Sequence, residues 1–219
     1  MKNFITGLTL AILFFSHINA SEASELTSKQ TLIELGGSLT SNVEGKGLLP
    51  LSAKAESGYK IALTHPINDY LAIQYKRSEF QSEEKTMLAI TTTADAVLDD
   101  VNLIYKLNKN FDAVLGYEHN KITYGKAVSP AVKSNLHFGL IAHTDLSDKA
   151  LLYASYIQGK DTSLAEVGVK YDLTKNSLVT LSYVDRHINN MDVSIDAYRL
   201  HTKVDYQLSG LSLMYGLKF

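Results

Sequence analysis

Short stretches of this chain alternate between apolar and other side chains, and the alternation is unbroken over the last nine residues. Every second position there is Leu, Tyr or Phe, namely Leu211, Leu213, Tyr215, Leu217 and Phe219. The positions between them carry serine, methionine, glycine and lysine. A period of two predicts a β-strand with one face in an apolar environment.

An internal repeat extends this pattern to the rest of the chain. Four short turns can be aligned on the reference residues Asn68, Asn110, Lys149 and Asn176. Seven residues after each reference residue lies a tyrosine, giving Tyr75, Tyr117, Tyr156 and Tyr183. The third and fifth positions after each reference are apolar, and the sixth is glycine, serine or glutamine. The repeat predicts four strands that leave the same side of a sheet, each ending its apolar face on a tyrosine.

Alternation on both sides of the four turns predicts eight strands, and a first and a last strand bring the number to ten. The predicted strands are 31–41, 57–65, 70–80, 98–107, 111–119, 135–144, 150–158, 163–173, 177–187 and 206–219. A count of eight is the alternative. The links opposite the short turns are longer, at 42–56, 81–97, 120–134 and 188–205, with a short link at 159–162. Strands of this length, short turns on one side and long loops on the other predict an antiparallel up-and-down transmembrane β-barrel.

Alternation alone does not decide which face points outward, because a soluble lipocalin-like barrel has the reverse arrangement. The aromatic residues decide it, since they fall at both ends of the apolar faces, as membrane girdles do. The predicted girdle consists of Tyr75, Tyr117, Tyr156 and Tyr183 at the loop end, and Tyr105, Tyr171, Tyr215 and Phe219 at the turn end. The opposite face is mixed in charge and predicted to line the lumen, with Lys60, Gln74, Lys76, Lys106, Glu118, His137, His143, Glu166 and Lys170.

The N-terminus reads as an export signal. A lysine at position 2 precedes an apolar run from Phe4 to Phe15, and small residues follow. This pattern predicts a signal peptide over 1–20, with cleavage after Ala20 or Ala23, because the run is shorter than the roughly 20 residues that span a bilayer. A polar segment over 21–30 and a barrel over 31–219 complete the predicted organisation.

Composition narrows the function. The formal net charge is −2, so nothing favours nucleic-acid binding. The absence of cysteine excludes disulfides, thiolate metal sites and cysteine nucleophiles. Mean hydropathy is −0.04, which is typical of a spanning barrel in which only alternate residues face lipid.

The strand layout and the terminal Leu211–Phe219 strand resemble the small outer-membrane β-barrels of Gram-negative bacteria, including opacity-type and porin-like proteins. The resemblance implies localisation in the outer membrane, contact with its lipids and lipopolysaccharide, and recognition of Leu211–Phe219 by the barrel assembly machinery. It also implies a structural or surface-interaction role in which the extracellular loops bind a ligand. A narrow porin-like channel for small solutes is the alternative, and an enzyme at the outer rim is the third hypothesis.

Candidate chemistry is sparse, and the chain is predicted not to be an enzyme. The possible catalytic residues are Asp99, Asp100, Asp185 and His187. Omptin proteases, which also have ten strands, place an Asp-His pair opposite an Asp pair to activate water. Here the two aspartates are adjacent, and a solvated acidic rim is the favoured interpretation. No residue spacing singles out a lipid A modifying site.

The histidines at 137 and 143 are predicted to face inward, where they could bind a metal ion or relay protons. The favoured interpretation is that neighbouring polar groups satisfy them. No cofactor or metal is therefore predicted.

Overall fold

The computed structural model describes residues 30–46, 51–87, 90–124, 129–195 and 200–219. The predicted signal peptide, both cleavage sites and all but the last residue of the polar segment 21–30 lie outside these ranges. In the part of the chain that is described, no helix is long and apolar enough to cross a membrane.

The described residues form twelve β-strands. In chain order they are β1 Leu32–Lys46, β2 Leu51–Pro66, β3 Leu71–Ser82, β4 Lys85–Met87, β5 Ile90–Thr92, β6 Ala94–Lys106, β7 Phe111–Tyr124, β8 Ala131–Ser147, β9 Ala150–Gly159, β10 Thr162–Thr174, β11 Ser177–Ile195 and β12 Leu200–Lys218.

Ten of the strands close into an antiparallel barrel in the order β1-β2-β3-β6-β7-β8-β9-β10-β11-β12. The first and last strands pair from Leu32 opposite Lys218 to Lys46 opposite Asp205. Closure removes the two open edges that a sheet would otherwise expose to hydrocarbon. The predicted ten-stranded, all-β barrel is therefore confirmed, and the eight-stranded alternative is wrong. The two remaining strands, β4 and β5, form a separate hairpin between β3 and β6.

The outer surface carries the apolar residues that a soluble protein would bury. Outward-facing Leu115, Leu136, Phe138 and Leu140 are 53–74% exposed. Further exposed apolar residues surround the barrel, among them Leu35, Leu63, Ile73, Leu103, Val167, Leu181, Leu213 and Leu217. An apolar area this large on a closed barrel is what lipid contact requires. The orientation predicted from the sequence is confirmed, and the protein is a transmembrane β-barrel.

The links predicted as long loops prove to be mostly strand. The intervals 42–56, 81–97, 120–134 and 188–205 are largely occupied by extensions of β1, β2, β6, β7, β8, β11 and β12, and by the β4–β5 hairpin. The wall therefore continues beyond the loop-end tyrosines, and the connections at its rim are short. We call this side the loop end and the side of the four short turns the turn end.

The sequence pattern did not predict these strand extensions, because the alternation of apolar and polar residues reverses there. In the outer part of β12, Val204, Tyr206 and Leu208 face inward and are buried, whereas Lys203 and Asp205 face outward and are exposed. Beyond the membrane the outer face meets water, so the apolar residues move to the inside. Bulges add to the effect, as at 189–190 between Ile188 and Met191, where Asn190 has a φ of 57°.

Candidate functional site

Charged side chains meet in the middle of the lumen and form ion pairs across it. Lys76 Nζ lies 3.3 Å from Glu166 Oε2, and Lys170 Nζ lies 3.4 Å from Glu34 Oε2. Glu166 also accepts a hydrogen bond of 2.8 Å from the Tyr153 hydroxyl. These contacts join β1, β3, β9 and β10, which do not all adjoin one another in the wall. The pairs therefore brace the barrel from inside and neutralise the charges buried there.

Arg186 is the centre of a second group. Its guanidinium pairs with Asp100, donates a hydrogen bond of 2.9 Å to Asn120 Oδ1 and lies 4.0 Å from Glu118 Oε2. The Arg186 side chain is 6% exposed and that of Asp100 is 7% exposed. Glu118 also accepts hydrogen bonds from Thr162 and Asn135. Each charge is thus buried with a partner, which is the condition for an ion in a low-dielectric interior.

A cavity of about 100 Å³ lies among these groups. Its charged lining comprises Glu34, Lys60, Lys76, Asp100, Asp112, Glu166, Lys170 and Arg186. Apolar side chains, including Phe80, Leu98 and Leu208, line it as well. The cavity has room for roughly seven to ten water molecules if each needs 10–15 Å³.

Toward the loop end, apolar side chains of the described residues cluster inside the barrel. This outer apolar cluster consists of Val43, Ala96, Leu98, Ile122, Ala131, Ile188, Met191, Val193, Val204, Tyr206 and Leu208. Its members are at most 5% exposed. Leu98 and Ile188 follow Asp100 and Arg186, two residues further toward the loop end of the same strands. The charged layer is therefore bordered on that side by buried apolar side chains.

The predicted girdle residues face outward. Tyr117, Tyr183, Tyr105, Tyr171 and Tyr215 are 45–52% exposed, and Phe219 is 68% exposed. Tyr75 and Tyr156 are half-buried and bond to polar neighbours, because their hydroxyls donate to Asp99 Oδ1 (2.6 Å) and Gln158 Oε1 (2.7 Å). A tyrosine with an apolar ring and a bonded hydroxyl suits the boundary between lipid and water. Their role as a girdle stays a prediction.

The predicted lumenal residues lie in or beside the central cavity, with one exception. Lys60, Gln74, Lys76, His143, Glu166 and Lys170 line it, and Glu118 and His137 are buried nearby. Lys106 lies near the turn end of β6 and is half-buried, outside the cavity lining.

The four candidate catalytic residues do not form one site. Asp100 faces the lumen and pairs with Arg186, whereas Asp99 faces outward and accepts hydrogen bonds from Tyr75 and Arg77. The other two residues are on β11, which four strands separate from β6 in each direction around the barrel. Asp185 Oδ2 lies 3.3 Å from His187 Nε2. This pair and Asp99 are both on the outer face, but on opposite walls of the barrel, so they point away from each other. The structure brings together no Asp-His pair facing an Asp pair from these residues.

The two inward histidines belong to different groups. His143 Nε2 lies 3.2 Å from Asp112 Oδ2, and His137 Nε2 lies 2.6 Å from Asn102 Oδ1. Six residues of strand place them about 20 Å apart, too far to share a metal ion. Asp100, Glu118 and His137 do bring possible ligand atoms within 4.8 Å of one another. Arg186 already supplies the cation for both of these carboxylates.

Arg186 itself was missed at the sequence level. Its neighbours Asp185 and His187 are predicted as possible catalytic residues, but Arg186 is not. The alternation carries the missing signal, because Val184, Arg186 and Ile188 fall on one face of β11 and the flanking Asp185 and His187 on the other. Its carboxylate partners lie 86 and 68 positions earlier in the chain, on β6 and β7.

No protein-family model and no curated protein matches this sequence. Among solved structures, the fold is similar to the outer membrane protease OmpT from Escherichia coli, with a TM-score of 0.62 and 9% identity over 94% of this chain and 100% of that one. This similarity establishes a shared fold.

Two further barrels are similar at lower scores. Neisserial surface protein A gives a TM-score of 0.44 and 16% identity, over 92% of this chain and 100% of that one. The attachment invasion locus protein Ail of Yersinia pestis gives 0.40 and 11%, over 87% and 100%.

Proposed function

We propose that this outer-membrane barrel is a non-conducting scaffold with a structural or surface-interaction role at its loop end. The observation that supports the proposal is the outer apolar cluster, which lies inside the barrel between the charged layer and the loop end. A barrel that conducts ions needs a continuous polar path, and packed hydrocarbon opposes one. The channel hypothesis is therefore the weaker alternative.

The interaction surface that we propose is the projecting wall and not a set of long loops. Exposed polar side chains on this wall include Glu44, Lys121, Asp192, Lys203 and Asp205. Strands hold their side chains at fixed spacing, so such a surface binds without ordering a flexible loop first. Recognition by a rigid scaffold at the cell surface is the function that this geometry favours.

A protease function has the fold of OmpT in its favour, since that protein is an outer membrane protease. A shared fold does not imply a shared reaction. Asp99, Asp100, Asp185 and His187 are divided between opposite walls and between the two faces of the wall. We therefore expect no peptide cleavage by cells that display the protein, and none that Asp185→Ala abolishes.

The test combines a permeability assay with an adhesion assay in one set of strains. A strain lacking the protein is complemented with wild type, with Lys76→Glu, or with a variant in which residues 84–92 are replaced by a short Gly-Ser turn. We expect solute uptake to be the same in all strains. Adhesion, normalised to the amount of closed barrel on a heat-dependent mobility gel, should be restored by wild type and Lys76→Glu but reduced by the shortened variant.

Purified protein in planar bilayers provides the control for the channel alternative. We expect no steady unitary current from the wild type. A steady current whose size or selectivity changes in Lys76→Glu overturns the proposal, because that lysine faces the central cavity.

A further inference from the structure

The ladder between β1 and β2 is interrupted in the middle. The strands pair from Leu32 opposite Thr64 to Gly37 opposite Tyr59, and again from Asn42 opposite Lys54 to Gly45 opposite Leu51. Between these two stretches, the described backbones of 38–41 and 55–58 form no ladder pairs with each other. The register is the same on both sides of the interruption, so the ladder stops and then resumes without a shift.

Two bulges that face each other account for the interruption of the ladder. β1 has a bulge at Leu39 where it pairs with β12, and β2 has one at position 56 where it pairs with β3. A bulge bends its strand and leaves one residue unpaired. Bulges at facing positions bend both strands, and no ladder pair forms along the seam between them from Ser38 to Ser41. On the other side of β1, the Thr40 hydroxyl accepts a hydrogen bond of 3.3 Å from Leu211 N.

The interruption lies at the level of the loop-end tyrosines. Thr40 pairs with Leu211, and Leu211 pairs with Tyr183. Unpaired backbone groups are costly in hydrocarbon, so such an interruption belongs where polar headgroups, water or a ligand can reach it. At this level the seam would connect the lipid-water boundary to the inside of the wall.

The central cavity lies directly behind the seam. Ser38 and Ser41 from β1, Lys60 from β2 and Phe80 from β3 all line it. Gly58 allows Phe80 to pack against the seam, because a Cβ at position 58 would be 3.0 Å from Phe80 Cδ1 and 3.1 Å from Ser38 Oγ.

Lys60 is the cation of this cavity without a carboxylate in contact. Each of the others has one, since Lys76 pairs with Glu166, Lys170 with Glu34, and Arg186 with Asp100. Lys60 Nζ donates to the Ser212 hydroxyl at 3.1 Å, and no carboxylate of the described residues lies within 4 Å of it. Glu166 attracts Lys60 electrostatically from beyond contact distance, whereas Lys76 and Arg186 repel it. A bound anion would give Lys60 the carboxylate contact that the other three cations already have.

We propose that the lumenal cavity binds a small carboxylic acid with an apolar body, which enters through the β1–β2 interruption. The carboxylate accepts charge-assisted hydrogen bonds from Lys60, and the apolar body packs on Phe80, Leu98 and Leu208. A cavity of about 100 Å³ limits the ligand to a short chain or a single ring. This site is independent of the surface role proposed above.

Hexanoate is a suitable probe, and hexanol is its neutral control. The full-length barrel is placed in nanodiscs, and binding is measured by NMR titration of labelled lysine side chains. We expect saturable binding of hexanoate that shifts the Lys60 signal, and at least tenfold weaker binding of hexanol. Lys60→Met should weaken hexanoate binding at least tenfold. Lys106→Met is the matched control, because Lys106 lies outside the cavity, and it should leave binding unchanged.

The entry route is tested separately with cysteine pairs, because the chain has no native cysteine. Leu39→Cys with Ser57→Cys, joined by a short bifunctional thiol reagent, bridges the unpaired part of the seam. Ile33→Cys with Leu63→Cys bridges a paired part of the same two strands. The first bridge should slow hexanoate binding at least tenfold, and the second should have no effect.

The heat-dependent mobility of each variant on a gel shows whether its barrel is closed. Among closed barrels, three results overturn the proposal: no binding of hexanoate by the wild type, equal binding of hexanol and hexanoate, or no effect of Lys60→Met. Equal rates for the two bridged pairs overturn the proposed entry route.

Discussion

Replacing Arg186 tests whether the buried ion pairs hold the barrel together. The substitution Arg186→Met keeps the length and apolar stem of the side chain but removes its charge. Asp100 then loses its ion-pair partner, and Glu118 loses the cation 4.0 Å away, both in a closed interior. Removing one partner of a buried pair costs about 3–5 kcal/mol, because the other charge stays behind without compensation.

Arg77→Met is the matched control. Arg77 also contacts two carboxylates, Glu79 at 2.5 Å and Asp99 at 3.4 Å, but it lies on the outer face with its side chain 36% exposed. An exposed ion pair contributes about 0–1 kcal/mol, since water screens the charges and replaces the lost contacts. The two substitutions are chemically identical and differ in burial.

The assay is reversible unfolding in guanidinium chloride, starting from barrels folded in detergent micelles. With a slope of about 4 kcal/mol per M, a loss of about 4 kcal/mol lowers the midpoint by about 1 M. Arg77→Met should lower it by no more than about 0.25 M. Adding Asp100→Asn to Arg186→Met should recover part of the loss, because the isolated carboxylate becomes neutral. Equal midpoints for the two arginine variants would refute the reasoning.

Three smaller perturbations complete the tests. Gly116→Ala should lower stability by about 1–3 kcal/mol in the same assay, because its Cβ would collide with His137 and the amide bonded to that ring. The pKa of Asp161, at the β9–β10 turn, lies below its usual value because Lys133 donates a hydrogen bond to it. The stability that this pair contributes is therefore fully present above the pKa of an unfolded aspartate, and it is lost as the pH falls through the lowered pKa of the folded state. In the variant Lys133→Met, NMR titration should show a higher pKa for Asp161 than in the wild type. Asn190→Val should cost about 1–2 kcal/mol, and Asn190→Gly much less, because the backbone there is left-handed with a φ of 57°.

The alternation of the sequence determined the part of the barrel that meets lipid. Within the membrane each strand is apolar outside and polar inside, so a period of two locates every strand, and the tyrosines at positions such as 117 and 183 indicate which face is outward. The alternation also predicted that Lys76, Glu166 and Lys170 face the lumen, because successive residues of a strand point to opposite faces whatever the rest of the fold does.

Only the closed barrel decided which of these charges meet. Arg186 and Asp100 are 86 residues apart, and no local pattern relates strands on opposite walls. The tertiary structure also extended the wall past the predicted ends, because outside the membrane the polar face turns toward water and the alternation reverses. The β1–β2 interruption beside Lys60 likewise cannot be predicted from the sequence, since it arises from two bulges that closure of the barrel places opposite each other.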